Sequence, residues 1–234
     1  ANDQVPDSPT NNFCTINSTY ADDTGTPALN LSEGNLKATA SASQFCIRGF
    51  TFNAPRSGKW YMEYTIGGSY DGFGFFVVGS EGTINPSGNG MGQLSVAQGG
   101  GIQHNGWRNG GSVTVNFGST FTSGHIHQVA IDVDNGKFYY GIQNTYYAAD
   151  AGTDGNPGAG SNHTSAFDFA GNDVVLATAV TTDSNPEHWN FGQNGTFNGT
   201  KTAQGNSDGN GIGDFYYAVP TGFLALCSSN LGAV

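Results

Sequence analysis

The sequence predicts an all-β protein, built as an antiparallel sandwich of two sheets. Glycine accounts for 37 of the 234 residues, and charged residues make up only 11%, against about 25% in an average domain. Aromatic residues reach 12%, which supplies the apolar surface that disordered chains lack. Strong helix formers such as Glu, Lys and Arg are scarce, so long helices are disfavoured. This composition suits short strands joined by tight turns.

The segment 59–66 alternates between apolar and polar positions, which predicts a half-buried strand that ends at Gly67 and Gly68. Its apolar face is predicted to carry Trp60, Met62, Tyr64 and Ile66, and its opposite face Lys59, Tyr61, Glu63 and Thr65.

The segment 73–78 is a denser apolar run, so we expect a strand that is buried on both sides. The glycine within this run indicates that another part of the backbone approaches it closely.

A β-hairpin over 127–144 is the strongest local prediction. Its first strand alternates apolar and polar residues, and its second strand is rich in aromatic residues. Asn135 and Gly136 between them favour a type I′ turn, in which both central residues need positive φ. We expect Asp132 and Asp134 to cap this turn.

Strands are also predicted over 173–182, 188–192 and 222–227, whereas the glycine-rich segments 82–111, 150–160 and 193–214 are predicted to be irregular surface loops. Neither an internal repeat nor a break in composition divides the chain. We therefore expect an extended leader over 1–12, one sandwich domain over 13–231 and a short tail over 232–234.

The formal charge is 7 − 18 = −11, and the basic residues are single and scattered. Nucleic-acid binding and attraction to anionic membranes are therefore disfavoured. The chain contains no run of 18 apolar residues, which membrane insertion of a helix would require. The polar stretch from Ala1 to Thr10 does not resemble a signal peptide. Because the chain begins at Ala1, we expect it to be processed or to be part of a longer protein.

The three cysteines allow two interpretations. A Cys14–Cys227 disulfide would join the two ends of the sandwich and leave Cys46 free. Alternatively, all three are buried thiols, since cysteine is often a small core residue. The absence of a CxxC pair gives no indication of a zinc ribbon.

The carboxylates do not form the pair that a glycan-active hydrolase needs. Glycoside hydrolysis generally needs two carboxylates about 5–10 Å apart, and none of Glu33, Glu63, Glu81 and Glu187 has an acidic partner two or four positions away on a predicted strand. The G-x-S-x-G nucleophile motif is also absent. A glycan-active hydrolase is therefore disfavoured.

A calcium loop is one interpretation of the segment 208–214, in which Asp208, Asn210 and Asp214 supply oxygen ligands between glycines. The alternative is a Gly/Asn/Asp turn, because Ile212 interrupts the pattern. The acidic loop over 150–156 is predicted to be a plain turn. No other cofactor is predicted.

Two histidines, His125 and His127, fall on one face of a predicted strand, where they would supply two ligands of a zinc or copper site, although no third ligand is evident. The alternative is a solvated strand edge.

Aromatic and amide side chains in glycine-rich loops suggest a site for saccharides, because aromatic rings stack on sugars and amides hydrogen-bond their hydroxyls. The alternative is that the rings anchor their loops to the core. Trp60 and Trp189 are predicted core residues. The candidate ligand-binding residues are His104, Asn105, Trp107, Arg108, Tyr146 and Tyr147.

Several segments resemble a known family. The segment SGKWYME over 57–63 is similar to a strand of SPRY (B30.2-like) domains, and HQVAIDVDNGKFYY over 127–140 resembles their hairpin. The segments 7–17, 182–193 and 220–227 resemble the opening, the "NFGQ" stretch and the closing of SPRY-like domains in tailed-phage structural proteins.

This resemblance implies a concanavalin A-like, SPRY-like jelly roll without enzymatic activity. It further implies a virion surface protein, either a head decoration or fibre or a tail-fibre module, that acts in assembly or host-surface attachment. Its expected partners are other virion structural proteins, a host cell-surface glycan and, in the virion, further copies of itself. A carbohydrate-binding lectin module is the alternative.

Overall fold

Two antiparallel sheets make up the computed structural model, which describes residues 11–22, 29–40, 46–68, 72–78, 100–103, 106–109, 112–117, 121–168, 171–180 and 185–232. In chain order the elements are β1 (Ile16–Asp22), β2 (Leu29–Ser32), β3 (Lys37–Ala40), β4 (Cys46–Phe50), β5 (Lys59–Thr65), β6 (Gly72–Val77), β7 (Gly100–Gln103), β8 (Gly106–Asn109), β9 (Ser112–Asn116), β10 (Ile126–Asp132), β11 (Lys137–Ile142), β12 (Thr145–Tyr147), β13 (Ser165–Ala166), β14 (Val174–Val180), β15 (Glu187–Asn190), β16 (Leu224–Ala225) and the helix α1 (Ser228–Leu231).

The smaller sheet has the order β1-β4-β14-β6-β7-β8-β9, and the larger sheet has the order β12-β11-β10-β5-β15-β3-β2. Two short strands lie outside this order: β13 pairs with β11, and β16 pairs with β5 in parallel. The predicted all-β antiparallel sandwich is confirmed. In the described part of the chain, no helix has the length and hydropathy needed to cross a membrane.

The main core is rich in aromatic side chains and includes the predicted apolar face of β5. Trp60 and Trp189 are fully buried in it, as predicted. The Trp189 ring stacks on Tyr64 at 4.4 Å between centroids and meets Phe50 edge-on at 4.7 Å. Such aromatic pairs contribute about 0.5–1.5 kcal/mol beyond the area that they bury.

The second face of β5 is also buried, so the prediction of a half-buried strand is wrong. Tyr61 and Glu63 are both 0% exposed. Residues from the C-terminal part of the chain cover this face, and Phe215 and Phe223 pack with Tyr61 in a second apolar cluster. The alternation of apolar and polar residues correctly assigned side chains to the two faces of β5. It did not indicate that another part of the chain covers the outer face.

The hairpin of β10 and β11 is confirmed, but its turn differs from the prediction. Asp132 pairs with Lys137, which leaves a four-residue loop, and only Gly136 has positive φ in it. A type I′ turn would require positive φ at Asn135 as well. Instead, the Asp132 carboxylate accepts hydrogen bonds from the backbone N–H and the side-chain amide of Asn135, as the expected capping role requires.

Two further sequence predictions need correction. The segment predicted as an irregular loop over 82–111 contains β7 and β8, so Trp107 lies on a strand. The strand predicted over 222–227 is shorter than expected, because only Leu224 and Ala225 pair with a neighbouring strand. They pair with β5 in parallel. By contrast, the predicted strands over 173–182 and 188–192 correspond to β14 and β15.

The ends of the described chain lie side by side. Phe13 forms an isolated antiparallel β-bridge with Cys227, and the Cys14 N–H donates to the Leu226 carbonyl at 3.0 Å. Opposite residues of a strand pair face the same side, so Cys14 and Cys227 face opposite sides. Cys14 is in the main core and Cys227 in the second cluster. Both are free thiols, and burial raises the pKa of Cys14 to about 12.

The strand β6 is buried, and β7 approaches its start very closely. A Cβ atom on Gly72 would lie 2.0 Å from the carbonyl oxygen of Ile102. Gly72→Ala is therefore expected to lower the free energy of unfolding by about 1–3 kcal/mol, measured by urea unfolding. Gly209→Ala is the control, since a Cβ atom there meets nothing within 4 Å. Equal midpoints for the two variants would contradict this prediction.

Candidate functional site

Glu63 lies at the centre of the larger sheet and is fully buried. Its Oε2 accepts a hydrogen bond from the Tyr216 N–H at 2.8 Å, and its Oε1 accepts one from the Tyr217 N–H at 2.8 Å. The Tyr61 hydroxyl donates to Oε1 at 2.8 Å, and the Asn190 amide donates to Oε2 at 3.4 Å. This carboxylate thus fixes the covering segment to the sheet.

The hydrogen bonds around Glu63 continue to neighbouring strands on the same face of the sheet. The Gln128 amide donates to the Tyr61 hydroxyl at 3.3 Å and to the Tyr146 hydroxyl at 3.4 Å. Its carbonyl oxygen accepts from the Asn144 N–H at 2.8 Å. A connected buried network of this kind rigidifies a structure when its members are satisfied.

Burial raises the pKa of Glu63 to about 7, while hydrogen bonds from Tyr216, Tyr217, Tyr61 and Asn190 oppose this shift. A carboxyl group with such a pKa has the proton affinity of a general acid. However, proton transfer to a substrate needs contact within about 3 Å, and the side chain is enclosed by the segment that contains Tyr216 and Tyr217. The geometry gives Glu63 a structural role.

Asp208 has a similar structural role in the predicted calcium loop. Its Oδ1 accepts from the N–H groups of Asn210 and Ile212, each at 2.9 Å. Its Oδ2 accepts from the Ala225 N–H at 2.9 Å and from the Asn230 amide at 2.8 Å. The first two contacts lie within the loop, and the other two tie it to β16 and α1. Both oxygens of the carboxylate therefore already accept from N–H donors of the protein.

The other two proposed calcium ligands have hydrogen-bond partners within the protein. Asn210 donates its amide to Asn230 at 2.9 Å. Asp214 accepts from the Gly205 N–H at 3.1 Å. Among the described residues, no group of three or more His, Cys, Asp or Glu side chains is placed to hold a metal ion. Calcium binding at Asp208, Asn210 and Asp214 stays a prediction.

The predicted histidine pair divides between two environments. His127 is fully buried in β10, and its Nδ1 hydrogen-bonds the Tyr140 hydroxyl. Its ring meets Phe121 edge-on at 4.7 Å, and burial lowers its pKa to about 3. His125 precedes the strand and is only partly buried. The alternative of a solvated strand edge is therefore wrong for His127, while the zinc or copper half-site stays a prediction.

Two of the predicted saccharide residues, Tyr146 and Tyr147, are largely buried. Tyr146 and Tyr147 are each only 8% exposed, in the second cluster and the main core, so their rings offer little surface for stacking. Trp107 and Arg108 lie in β8, but their side chains are outside the described residues, as are His104 and Asn105. A saccharide site around Trp107 stays a prediction.

Sequence reasoning missed the structural importance of Glu63, which it treated only as a catalytic candidate without a partner. One signal was present: an acidic residue between two tyrosines, on a strand in a chain poor in charge. Its backbone donors, at Tyr216 and Tyr217, lie more than 150 positions away. No local pattern connects them to Glu63.

No protein-family model and no curated protein matches the chain. Among solved structures it is similar to the SPRY domain of human HERC1, with 10% identity and a TM-score of 0.49, over 74% of this chain and 96% of that one. It is also similar to the TRIM65 PSpry domain, with 10% identity and a TM-score of 0.49, over 76% of this chain and 92% of that one. At this level of similarity, neither protein's function is transferred to this chain.

The raised pKa of Glu63 predicts a pH-dependent cost for Glu63→Gln. The folded protein holds this proton up to about pH 7, whereas the unfolded chain releases it near 4.5. The contribution of Glu63 to stability is therefore present below pH 4.5 and is lost as the pH rises through 7. Glu63→Gln is expected to lower the free energy of unfolding relative to wild type, and this loss is expected to be about 2 kcal/mol larger at pH 5 than at pH 8.

Urea unfolding of both proteins at both pH values measures this difference. The lowered pKa values of His127 and His188 act in the opposite direction with pH, but they cancel when the two proteins are compared at one pH. If Glu63→Gln lowers the free energy of unfolding equally at pH 5 and pH 8, the raised pKa of Glu63 is wrong.

Asp208→Ala is expected to lower the free energy of unfolding by about 3 kcal/mol, because it leaves the Ala225 N–H and the Asn230 amide without their acceptor. The control is Asp150→Ala, an exposed residue that accepts from the Gly152 N–H alone, with an expected loss below about 1 kcal/mol.

Thermal unfolding with and without a calcium chelator separates the two interpretations of this loop. If the turn interpretation is correct, the chelator leaves the wild-type Tm unchanged. A Tm that the chelator lowers in wild type, but not in Asp208→Ala, would establish the calcium site instead.

Proposed function

We propose that this chain is a non-enzymatic module of a phage virion surface, as a head decoration or fibre or a tail-fibre domain, that acts in assembly or host-surface attachment. The observation that carries the non-enzymatic part is the enclosure of Glu63. The strand carboxylate best placed to serve as an acid is 0% exposed and is held by four donors from the protein itself.

Glu187, on the neighbouring strand β15, supports the same conclusion. It is also 0% exposed, and the Thr178 hydroxyl donates to its carboxylate. A hydrolytic pair must contact a sugar from both sides of the scissile bond, and neither buried carboxyl group is placed to do so. A glycan hydrolase is therefore disfavoured.

The virion part of the proposal is supported by the resemblance of the segments 7–17, 182–193 and 220–227 to those of phage structural proteins. A net charge of −11 disfavours nucleic acid as the partner, which leaves other virion proteins, further copies of this chain and host-surface glycans. Binding such a glycan would make the module a lectin, the alternative form of the same attachment role.

Binding of the fluorescently labelled chain to a panel of intact bacterial cells, with extracted surface polysaccharide as competitor, tests the attachment role. Light scattering coupled to gel filtration tests self-assembly in parallel. Saturable binding that polysaccharide competes, or a defined oligomer, is the expected result. A folded chain that binds no cells and stays monomeric would overturn the proposal, as would release of reducing sugar that Glu63→Gln abolishes.

A further inference from the structure

A cleft of about 500 Å³ opens beside the tip of the β10–β11 hairpin. Three connecting segments line it: the loop before β5, the hairpin turn and the connection from β13 to β14. They contribute 54–56, 133–136, and 167–168 with 171–172, respectively. All three lie at the same end of the sandwich, because Lys59 at the start of β5 pairs with Asp132 before the hairpin turn, and Ala166 at the end of β13 pairs with Lys137 after it.

Hydrogen bonds hold the hairpin turn to the segments on both sides of it. The Asp134 Oδ1 accepts from the Gly58 N–H at 2.8 Å, and the Val133 N–H donates to the Gly58 carbonyl at 3.0 Å. On the other side, the Phe167 N–H donates to the Gly136 carbonyl at 2.8 Å. A side chain at Gly136 would not fit, since its Cβ would lie 2.3 Å from the Phe167 carbonyl oxygen.

Arg56 connects the loop before β5 to the connection between β13 and β14. Its guanidinium donates to the Gly171 carbonyl at 3.1 Å and to the Asp173 carboxylate at 2.7 Å. The Ala54 N–H donates to the Val174 carbonyl at 2.8 Å. Each lining segment is therefore fixed to another, so that a ligand would enter a preformed site and would not bear the cost of ordering the loops.

The charges around the cleft restrict the class of ligand. Asp134 and Asp168 line the cleft, while the one basic side chain in its lining, Arg56, already pairs with Asp173. The local charge is negative, and the whole chain carries −11. Phosphates, sulfates and acidic sugars are therefore repelled, and a neutral ligand fits best.

The lining combines the groups that recognise a polyhydroxylated ring. Asp134 and Asp168 carry carboxylates that can accept hydrogen bonds from hydroxyls. The side-chain carbonyl of Asn135 can accept as well, whereas its amide already donates to Asp132. Apolar contact area comes from four of the lining residues, namely Ala54, Pro55, Val133 and Phe167. We propose that this cleft binds a neutral saccharide. This inference rests on the attachment role proposed above and gives it a location other than the Trp107 strand.

Titration of the ¹⁵N-labelled full chain with neutral trisaccharides of glucose, galactose, mannose and N-acetylglucosamine tests this proposal, with sialyllactose as the acidic comparison. The expected result is that at least one neutral sugar shifts the amide signals of Gly136, Gly171 and Asn172, and that sialyllactose does not. Binding of none of the neutral sugars, shifts confined to other residues, or equal binding of sialyllactose would each overturn the proposal.

Gly171→Asn adds a side chain at the lip of the cleft and is expected to weaken binding at least about tenfold. Gly211→Asn is the matched control: φ is +74° at Gly171 and +75° at Gly211, and a Cβ at either position meets nothing within 4 Å. Asn tolerates this left-handed conformation. Asp168→Ala, at an exposed position, provides a second variant that removes an acceptor without adding bulk. Unchanged affinity in both cleft variants would overturn the proposal.

The same variants separate this inference from the proposed function in the cell-binding experiment. If Gly171→Asn and Asp168→Ala bind cells as well as wild type does, attachment stands and the cleft is not its site. If wild type neither binds cells nor forms an oligomer, the attachment and assembly role itself fails.

Discussion

The burial of one carboxyl group, that of Glu63, constrains much of this structure. A carboxylate taken out of water is costly unless hydrogen bonds replace its hydration. Two of those bonds come from the backbone of Tyr216 and Tyr217, so the segment that carries them must cross the sheet at one place and in one orientation. The apolar contacts of Phe215 with Tyr61 then follow from this placement. The outer layer of the larger sheet is thus fixed by a polar interaction and sealed by apolar ones.

Asp208 repeats this arrangement a few residues earlier in the chain and connects it to the C-terminus. Through Ala225 and Asn230 it joins the covering segment to β16 and α1, and the neighbouring backbone of Leu226 pairs with Cys14 near the start of the described chain. Carboxylates that sequence reasoning considered for catalysis or calcium thereby hold distant parts of the chain together. With the outer face of β5 closed in this way, the recognition role proposed above would fall to the loops at the ends of the strands.

The sequence predicted those features that depend on neighbours along the chain. Trp60, Met62 and Tyr64 face the core because a strand alternates with period two, and the hairpin lies where Asn135 and Gly136 interrupt two apolar runs. Features that depend on distant contacts were not predictable. Nothing near Glu63 reveals its backbone donors, and the turn type was decided by the Asp132 side chain rather than by the Asn-Gly pair. Glycine-rich composition likewise concealed β7 and β8, because pairing partners and not local propensity make those segments strands.

In the hairpin turn, residues that stabilise the fold lie next to a residue of the proposed saccharide cleft. Asp132 is buried, accepts from Asn135 and pairs with Lys59 at 3.1 Å, so it fixes the turn from the inside. Asp134, two residues later, is exposed and uses its Oδ1 to hold Gly58, which leaves Oδ2 outside that hydrogen bond. A carboxylate oriented by one of its oxygens can present the other to a ligand without losing the rotamer freedom that a mobile side chain must give up on binding. Because Asp134 lies in the turn, beyond the end of β10, it is exposed at the cleft, and its hydrogen bond with Gly58 holds it in a defined orientation.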